Sequence, residues 1–259
     1  MDIIAIIIFI VLSWVAAGLV NYLADVLPTK RSLAIPVCSN CGQPFYLVYY
    51  ILWPAKCTSC GKRVGFRHWA VRLSVILLGL LIWVNRDGRT VALLPGLVVL
   101  LYFVLVSIID IEHRLILHPV SLFGAILGAI IGFSLHGALS TLLGGITGFL
   151  CMFGMYLFGT VFVKWLARVR ATSVGEDALG FGDVTLGGVL GLFLGFPGVF
   201  FSIALAILAA GAVSLVYVLI MMIRRGYRSN LTIPYGPFLV FGAFILLFLR
   251  DLLFSSLGW

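Results

Sequence analysis

The sequence predicts an all-α integral membrane protein of about eight transmembrane helices, with a small cytoplasmic module built on four cysteines like a zinc ribbon. Three observations predict it. Of the 259 residues, 63% are hydrophobic and only 10% charged, whereas a soluble domain carries about 25% charged residues; the mean hydropathy is +1.21. The apolar residues gather into runs near the roughly 20-residue length that crosses a bilayer. One long polar interval, Pro28–His68, interrupts them and holds four of the five cysteines.

The runs follow in order. Ile3–Leu23 comes first. It follows Met1 and Asp2, an acidic start without a small-residue cleavage site, so it is expected to be a retained helix and not a signal peptide. After the polar interval come Trp69–Val84, Thr90–Ile109, Leu117–His136, Thr141–Leu166, Asp183–Phe196, Val199–Ile223 and Ile233–Leu253. Asp183–Phe196 is short, so its helix is expected to start below the membrane surface or to break at Pro197. This order divides the chain into a first helix (1–24), a cytoplasmic cysteine module (25–68) and a seven-helix membrane domain (69–259). Gly124, Gly128 and Gly132 repeat at four-residue spacing, which puts small residues on one helix face and favours close packing in lipid. No internal repeat or low-complexity segment stands out.

Orientation follows from Lys and Arg, which are retained on the cytoplasmic side. With the N-terminus outside, the inner loops and helix ends carry Lys30, Arg31, Lys56, Lys62, Arg63, Arg67, Arg72, Arg114, Lys164, Arg168, Arg170, Arg224, Arg225 and Arg228. Only Arg86, Arg89 and Arg250 fall outside, and the opposite orientation inverts the ratio. The net charge of +8 is then explained by topology and attraction to anionic lipid headgroups, and it calls for no nucleic-acid partner.

Cys38, Cys41, Cys57 and Cys60 form C-x2-C-x15-C-x2-C, the spacing of a structural zinc site. Gly42 and Gly61 follow the second cysteine of each pair, where a tight turn helps. The module is too short to bury much core, so metal binding would supply much of its folding energy. Two disulfides are the competing reading, and a reducing cytoplasmic side argues against them. Cys151, inside an apolar run, reads as a buried small hydrophobe.

Of the nine acidic residues, seven read as solvated groups in loops or near helix ends: Asp2, Asp25, Asp87, Glu112, Glu176, Asp177 and Asp251. Asp110 and Asp183 differ. Asp110 closes the apolar run Leu101–Ile109, and Asp183 opens the short helix after Gly180-Phe181-Gly182. Both are expected at the cytoplasmic ends of their helices, so two carboxylates can meet at one depth. Charge there is costly and usually functional. Two such carboxyls share a proton, the arrangement used to activate water and polarise a peptide carbonyl. Gly180 and Gly182 allow the backbone to bend and an extended chain to approach. An aspartate at a helix N-terminus is also a favourable cap, so charge alone leaves both readings open.

Taken together, these residues resemble the type IV prepilin peptidase family, membrane aspartyl proteases with a G-x-G-D motif. The matching parts are Asp110 with Ile111-Glu112-His113-Arg114 and Pro119; Gly175-Glu176-Asp177-Ala178-Leu179-Gly180-Phe181-Gly182-Asp183; and Ile233-Pro234-Tyr235-Gly236-Pro237-Phe238. The four-cysteine segment and the eight-helix layout match as well. The resemblance implies that Asp110 and Asp183 are the catalytic pair, supported by Gly180, Gly182, Pro234, Gly236 and Pro237. It implies cleavage of the leader of type IV prepilins or pseudopilins at the cytoplasmic face of the bacterial inner membrane. In many members it also implies methylation of the new N-terminus with S-adenosylmethionine, an activity tied to the cysteine-bearing region.

Departures from the family fall mostly in that region. An Arg-Tyr-Pro followed by Glu is usual; here Arg67-His68-Trp69-Ala70-Val71-Arg72 stands, with Arg72 near the place of the acid. Asn21 matches an expected Asn, but Asp25 or Val26 stands near an expected Arg, and Thr185 replaces a Lys two residues past Asp183. Little or no methyl transfer is therefore expected, and S-adenosylmethionine is needed only if that activity is retained. Two other classes compete with the peptidase. A proton- or cation-coupled transporter would place the carboxylates near the bilayer midplane, and a non-enzymatic assembly scaffold would tolerate Asp110→Ala.

Overall fold

The computed structural model describes residues 3–38, 40–53, 56–57, 59–63, 65–84, 92–170, 180–224 and 234–250. Several residues read above, among them Arg86, Asp87, Arg89, Thr90, Gly175–Leu179, Arg225, Arg228 and Ile233, lie outside them. The elements are α1 (Ile3–Lys30), α2 (Leu47–Leu52), α3 (Phe66–Val84), α4 (Leu93–His113), α5 (His118–Arg170), α6 (Phe181–Leu194), α7 (Gly198–Ile223) and α8 (Gly236–Phe248). No strand forms among the described residues; two isolated bridges, Val37 with Pro44 and Lys56 with Arg63, are the only β pairing there.

α5 is two helices in one run. Gly137 has φ 77 and ψ 166, a left-handed conformation that costs little only for glycine. The chain turns there, and the backbone around Gly132 comes so close to Thr141 that a Cβ on Gly132 would lie 2.7 Å from the threonine methyl. With α5 counted as two arms, the eight apolar runs of the sequence correspond to α1, α3, α4, the arms of α5, α6, α7 and α8. Five of the described helices are long and apolar enough to cross a membrane, while α6 and α8 are shorter. The protein is a multi-pass membrane protein.

Spatial proximity divides the chain into two units, residues 1–109 and 110–259. In the first, α1 and α3 run antiparallel: Asn21 Nδ2 donates to His68 O at 3.2 Å, and Phe9 packs on Gly79 at the other end. The face of α1 toward α3 is made of small or polar residues (Ser13, Ala17, Asn21 and Ala24, all fully buried), while Ile4, Ile8, Val11 and Leu12 point outward. This inverts the pattern of a soluble helix, because in lipid close backbone approach replaces the hydrophobic drive.

In the second unit α6 is seated on α5. Gly144 and Gly148 of α5 face Gly191 and Gly187 of α6 so closely that a Cβ on either α5 glycine would lie 2.3–2.4 Å from a carbonyl of the partner helix. Gly128 and Gly132 meet α6 in the same way, at Leu192 and Phe193. α6 ends at Leu194 with Gly195 at φ 65, ahead of Pro197, as its short apolar run suggested. The α5 contacts fix α6, and therefore Asp183 in its first turn.

Candidate active site and metal site

Asp110 lies in the last turn of α4, in the second unit, and is 5% exposed. Its Oδ2 accepts a hydrogen bond from the Gly236 N–H at 2.9 Å. That N–H belongs to the first residue of α8, and the first amides of a helix have no partner within it. Pro237 suits the first turn because it has no N–H to leave unpaired. Asp110 thus caps α8 from a distance. A Cβ on Gly236 would lie 2.6 Å from Asp110 Oδ2, so any larger residue there would have to displace the carboxylate.

Asp183 is 8% exposed, in the first turn of α6 behind Gly180. Its N–H reaches back to Gly180 O at 3.0 Å, and its Oδ1 has no hydrogen-bond partner among the described residues. The Asp110 charge acts on Asp183 through space, and Asp183 acts likewise on Tyr235. The Tyr235 hydroxyl is buried and also without a hydrogen-bond partner among the described residues. The two aspartates from the sequence therefore share one site with Tyr235 and Gly236. Tyr235 stood in the recognised segment but was not singled out, because a tyrosine in an apolar run reads as packing.

The glycines before Asp183 have a different use from the bend expected of them. Gly180 has φ −74 and ψ 142, which any residue can adopt. Gly182 is needed for room, since a Cβ there would lie 2.9 Å from Ile116 Cβ. Thr185, two residues past Asp183, turns inward and donates to Gly182 O at 2.7 Å.

The four cysteines of the first unit come together as two matching turns. In each, the first cysteine's N–H donates to a carbonyl five residues on, Gln43 O at 2.8 Å for Cys38 and Lys62 O at 2.9 Å for Cys57. In each, the glycine after the second cysteine has positive φ, 72 at Gly42 and 69 at Gly61, with nothing near a built Cβ. These glycines are there for conformation alone. The four Sγ atoms lie within 4.8 Å of one another, with Cys38 to Cys60 at 3.7 Å and Cys41 to Cys57 at 3.5 Å. Sulfurs 2.3 Å from a tetrahedral zinc lie about 3.8 Å apart, and a disulfide needs about 2.05 Å. All four cysteines are free, and the set can hold a metal ion. The N–H groups of Asn40 and Cys41 bring the Cys38 thiol down to about 6, and those of Cys60 and Ser59 lower Cys57. Four thiolates this close repel one another unless a cation sits between them.

A second polar group in this unit escaped the sequence reading. Asp25, expected to be solvated, pairs with Arg67 and accepts a hydrogen bond from the Tyr50 hydroxyl. His68 Nε2 lies 3.1 Å from Asp25 Oδ2 and 2.8 Å from the Tyr50 oxygen. The group borders a cavity of about 420 Å³ that Cys38, Lys30, Lys62 and Arg63 also line.

The chain matches the model of the type IV leader peptidase family over residues 97–216, a span that contains both aspartates. It is similar to the prepilin leader peptidase/N-methyltransferase of Pseudomonas aeruginosa, 28% identical over 235 residues, 85% of this chain and 74% of that protein. The protein of the same name from Burkholderia pseudomallei is 27% identical over 248 residues, 90% of this chain and 74% of its own length. A type 4 prepilin-like proteins leader peptide-processing enzyme of Escherichia coli is 27% identical over 235 residues, 86% of this chain and 80% of its own length. No solved structure matches the chain.

Proposed function

We infer that this chain is a member of the type IV leader peptidase family, whose model it matches over residues 97–216, and that it cleaves the leader of prepilins or pseudopilins with Asp110 and Asp183 as its catalytic pair. The observation that carries the assignment is a pair of buried carboxyls at helix ends, Asp110 against the first amide of α8 and Asp183 in the first turn of α6. Two such groups hold one proton between them. The Gly236 N–H stabilises the anionic form of Asp110, which makes Asp110 the base that takes a proton from water. Asp183 then carries the shared proton and gives it to the carbonyl oxygen as the hydroxyl adds to the carbon. The tetrahedral species collapses when a proton returns to the amide nitrogen, which leaves as the free N-terminus of the mature pilin-like protein. Tyr235, beside Asp183, supplies a further hydroxyl for the developing oxyanion.

Zinc is the metal we assign to the four cysteines, on thiolate number and spacing. It would be structural, as all four positions are taken by protein and none is left for substrate. The active site is assigned to the cytoplasmic face, with the N-terminus outside, on the distribution of Lys and Arg.

Methyl transfer, which the names of the Pseudomonas and Burkholderia relatives include, is a separate question for the first unit. Arg72 stands near the place of an expected acid, and its guanidinium is bound to carbonyls. Asp25, near the place of an expected Arg, is engaged by Arg67. An arginine near the expected acid, and Asp25 or Val26 near the expected Arg, depart from the family's pattern, so methylation with S-adenosylmethionine is expected to be weak or absent.

The test is direct. Purified protein in detergent, incubated with a full-length prepilin-like substrate, should release the leader at a single bond, read by mass spectrometry. Intact substrate, in the presence of monodisperse folded protein, would reject the reading.

A further inference from the structure

The short helix α2 lies between the two cysteine turns, and its position is unusual for a segment of a polar loop. Its last carbonyls are not left to water. Arg72 Nη2 donates to Ile51 O at 2.7 Å, and Trp14 Nε1 donates to Leu52 O at 2.7 Å. A Cβ on Gly18 would lie 2.0 Å from Ile51 O, so α1 is notched to receive this helix end. Arg72 is fully buried. Both of its hydrogen bonds among the described residues end on carbonyls, and its guanidinium lies 4.5 Å from the Trp14 ring centre. A buried cation in a membrane helix is expensive, but a helix C-terminus is where a cation is favoured.

Depth follows from the antiparallel pairing of α1 and α3. Asn21 lies opposite His68 and Phe9 beside Gly79, and Ile51 meets the pair between these levels, at Gly18 and Arg72. Arg72 is three residues into the apolar run that starts at Trp69, about 4.5 Å along the axis at 1.5 Å per residue. That is close to the shallow end of the 5–10 Å or so to which interfacial helices sink. At this depth unpaired carbonyls are costly, which explains the partners that Arg72 and Trp14 provide. The outward side of α2 is apolar, with Val48 69% and Tyr49 54% exposed. It continues onto the spans through Trp53, whose ring touches both Trp14 and Trp69.

We propose that α2 is inserted into the membrane, its Val48–Tyr49 face covered by the acyl chains of the leaflet that adjoins the start of α3. The two cysteine turns flank it, so the metal-binding module is held against the membrane surface by its own middle segment.

A photo-cross-linker in place of the side chain reads the occupant of this face. Val48 or, as the milder aromatic exchange, Tyr49 is replaced by benzoylphenylalanine in the full chain reconstituted in phospholipid vesicles. Leu77, 64% exposed on α3, serves as the lipid-facing control. On irradiation, the peptides carrying positions 48 and 49 should gain the mass of one phospholipid, in a yield within about twofold of position 77 if both sit in acyl chains. Lipid adducts at 77 with none at 48 or 49 would overturn the proposal. So would adducts there to a second copy of the chain or to an added pilin-like substrate.

Discussion

Gly236 donates its backbone N–H to Asp110 Oδ2 at 2.9 Å across 126 residues of sequence. The bond joins the start of α8 to the end of α4 and gives one of the two aspartates a fixed donor. It explains why glycine must follow Tyr235, since any Cβ meets the carboxylate.

Gly236→Ala should therefore damage catalysis more than folding. The added methyl, 2.6 Å from Asp110 Oδ2, has to push the carboxylate off its donor. We expect kcat to fall about 100-fold, near 3 kcal/mol of barrier, with KM changed little. Steady-state kinetics on a prepilin-like substrate check this; a near wild-type kcat would mean the hydrogen bond is incidental.

Tyr235→Phe removes only a hydroxyl. Because that oxygen is buried without a hydrogen-bond partner among the described residues and lies within reach of the Asp183 charge, it should be used during the reaction. Loss of one oxyanion donor costs on the order of 100-fold in kcat, and a loss of about 10-fold or more is expected here. An unchanged kcat, with unchanged melting temperature, would assign the tyrosine to packing.

The cysteine set predicts about one zinc per chain in protein purified without chelator. Cys38→Ser with Cys41→Ser should remove it, as measured by elemental analysis. Serine at all four positions should lower the yield of folded protein, because metal binding contributes folding energy. The protein that does fold should still cleave, since water activation rests on the carboxyls. Complete loss of cleavage in well-folded four-serine protein would mean that the module helps to present the leader.

The departures from the family around Asp25–Val26 and at Arg72 predict that the cleaved product keeps a free amino terminus. Mass spectrometry of product formed with S-adenosylmethionine present decides it: a gain of one methyl group would show that the first unit transfers methyl despite these exchanges.

What the sequence made legible is what local pattern controls. The spans follow from apolar runs, the paired turns from C-x2-C followed by glycine, and the end of α6 from the short run before Pro197. Asp110 and Asp183 stood out as charges at the edges of apolar runs, but a helix cap reads the same way, and it was the G-x-G-D segment and its companion motifs that set them apart as a pair. The break at Gly137 falls in the gap between the runs Leu117–His136 and Thr141–Leu166, so the two arms of α5 were separable by sequence; the positive φ at which the chain turns is what the structure adds. Asp25 was read as solvated since its partner Arg67 is 42 residues away, and no local rule joins them. α2 was hidden by its length: Leu47–Leu52 is too short to read as a helix, and what holds it are Gly18, Trp14 and Arg72 on two other elements. Tyr235 needed the folded site to stand out from an ordinary apolar aromatic.

The central claim is that Asp110 and Asp183 work as one catalytic unit. Its most direct test is leader cleavage by Asp110→Asn and Asp183→Asn, each purified as monodisperse protein with the wild-type melting temperature. Asparagine keeps the size of each side chain but cannot exchange the proton. Each variant should lose at least about 1,000-fold in rate, and the double variant should lose little more, because groups that act as a unit are not additive. Cleavage by either single variant at near the wild-type rate would contradict the pair.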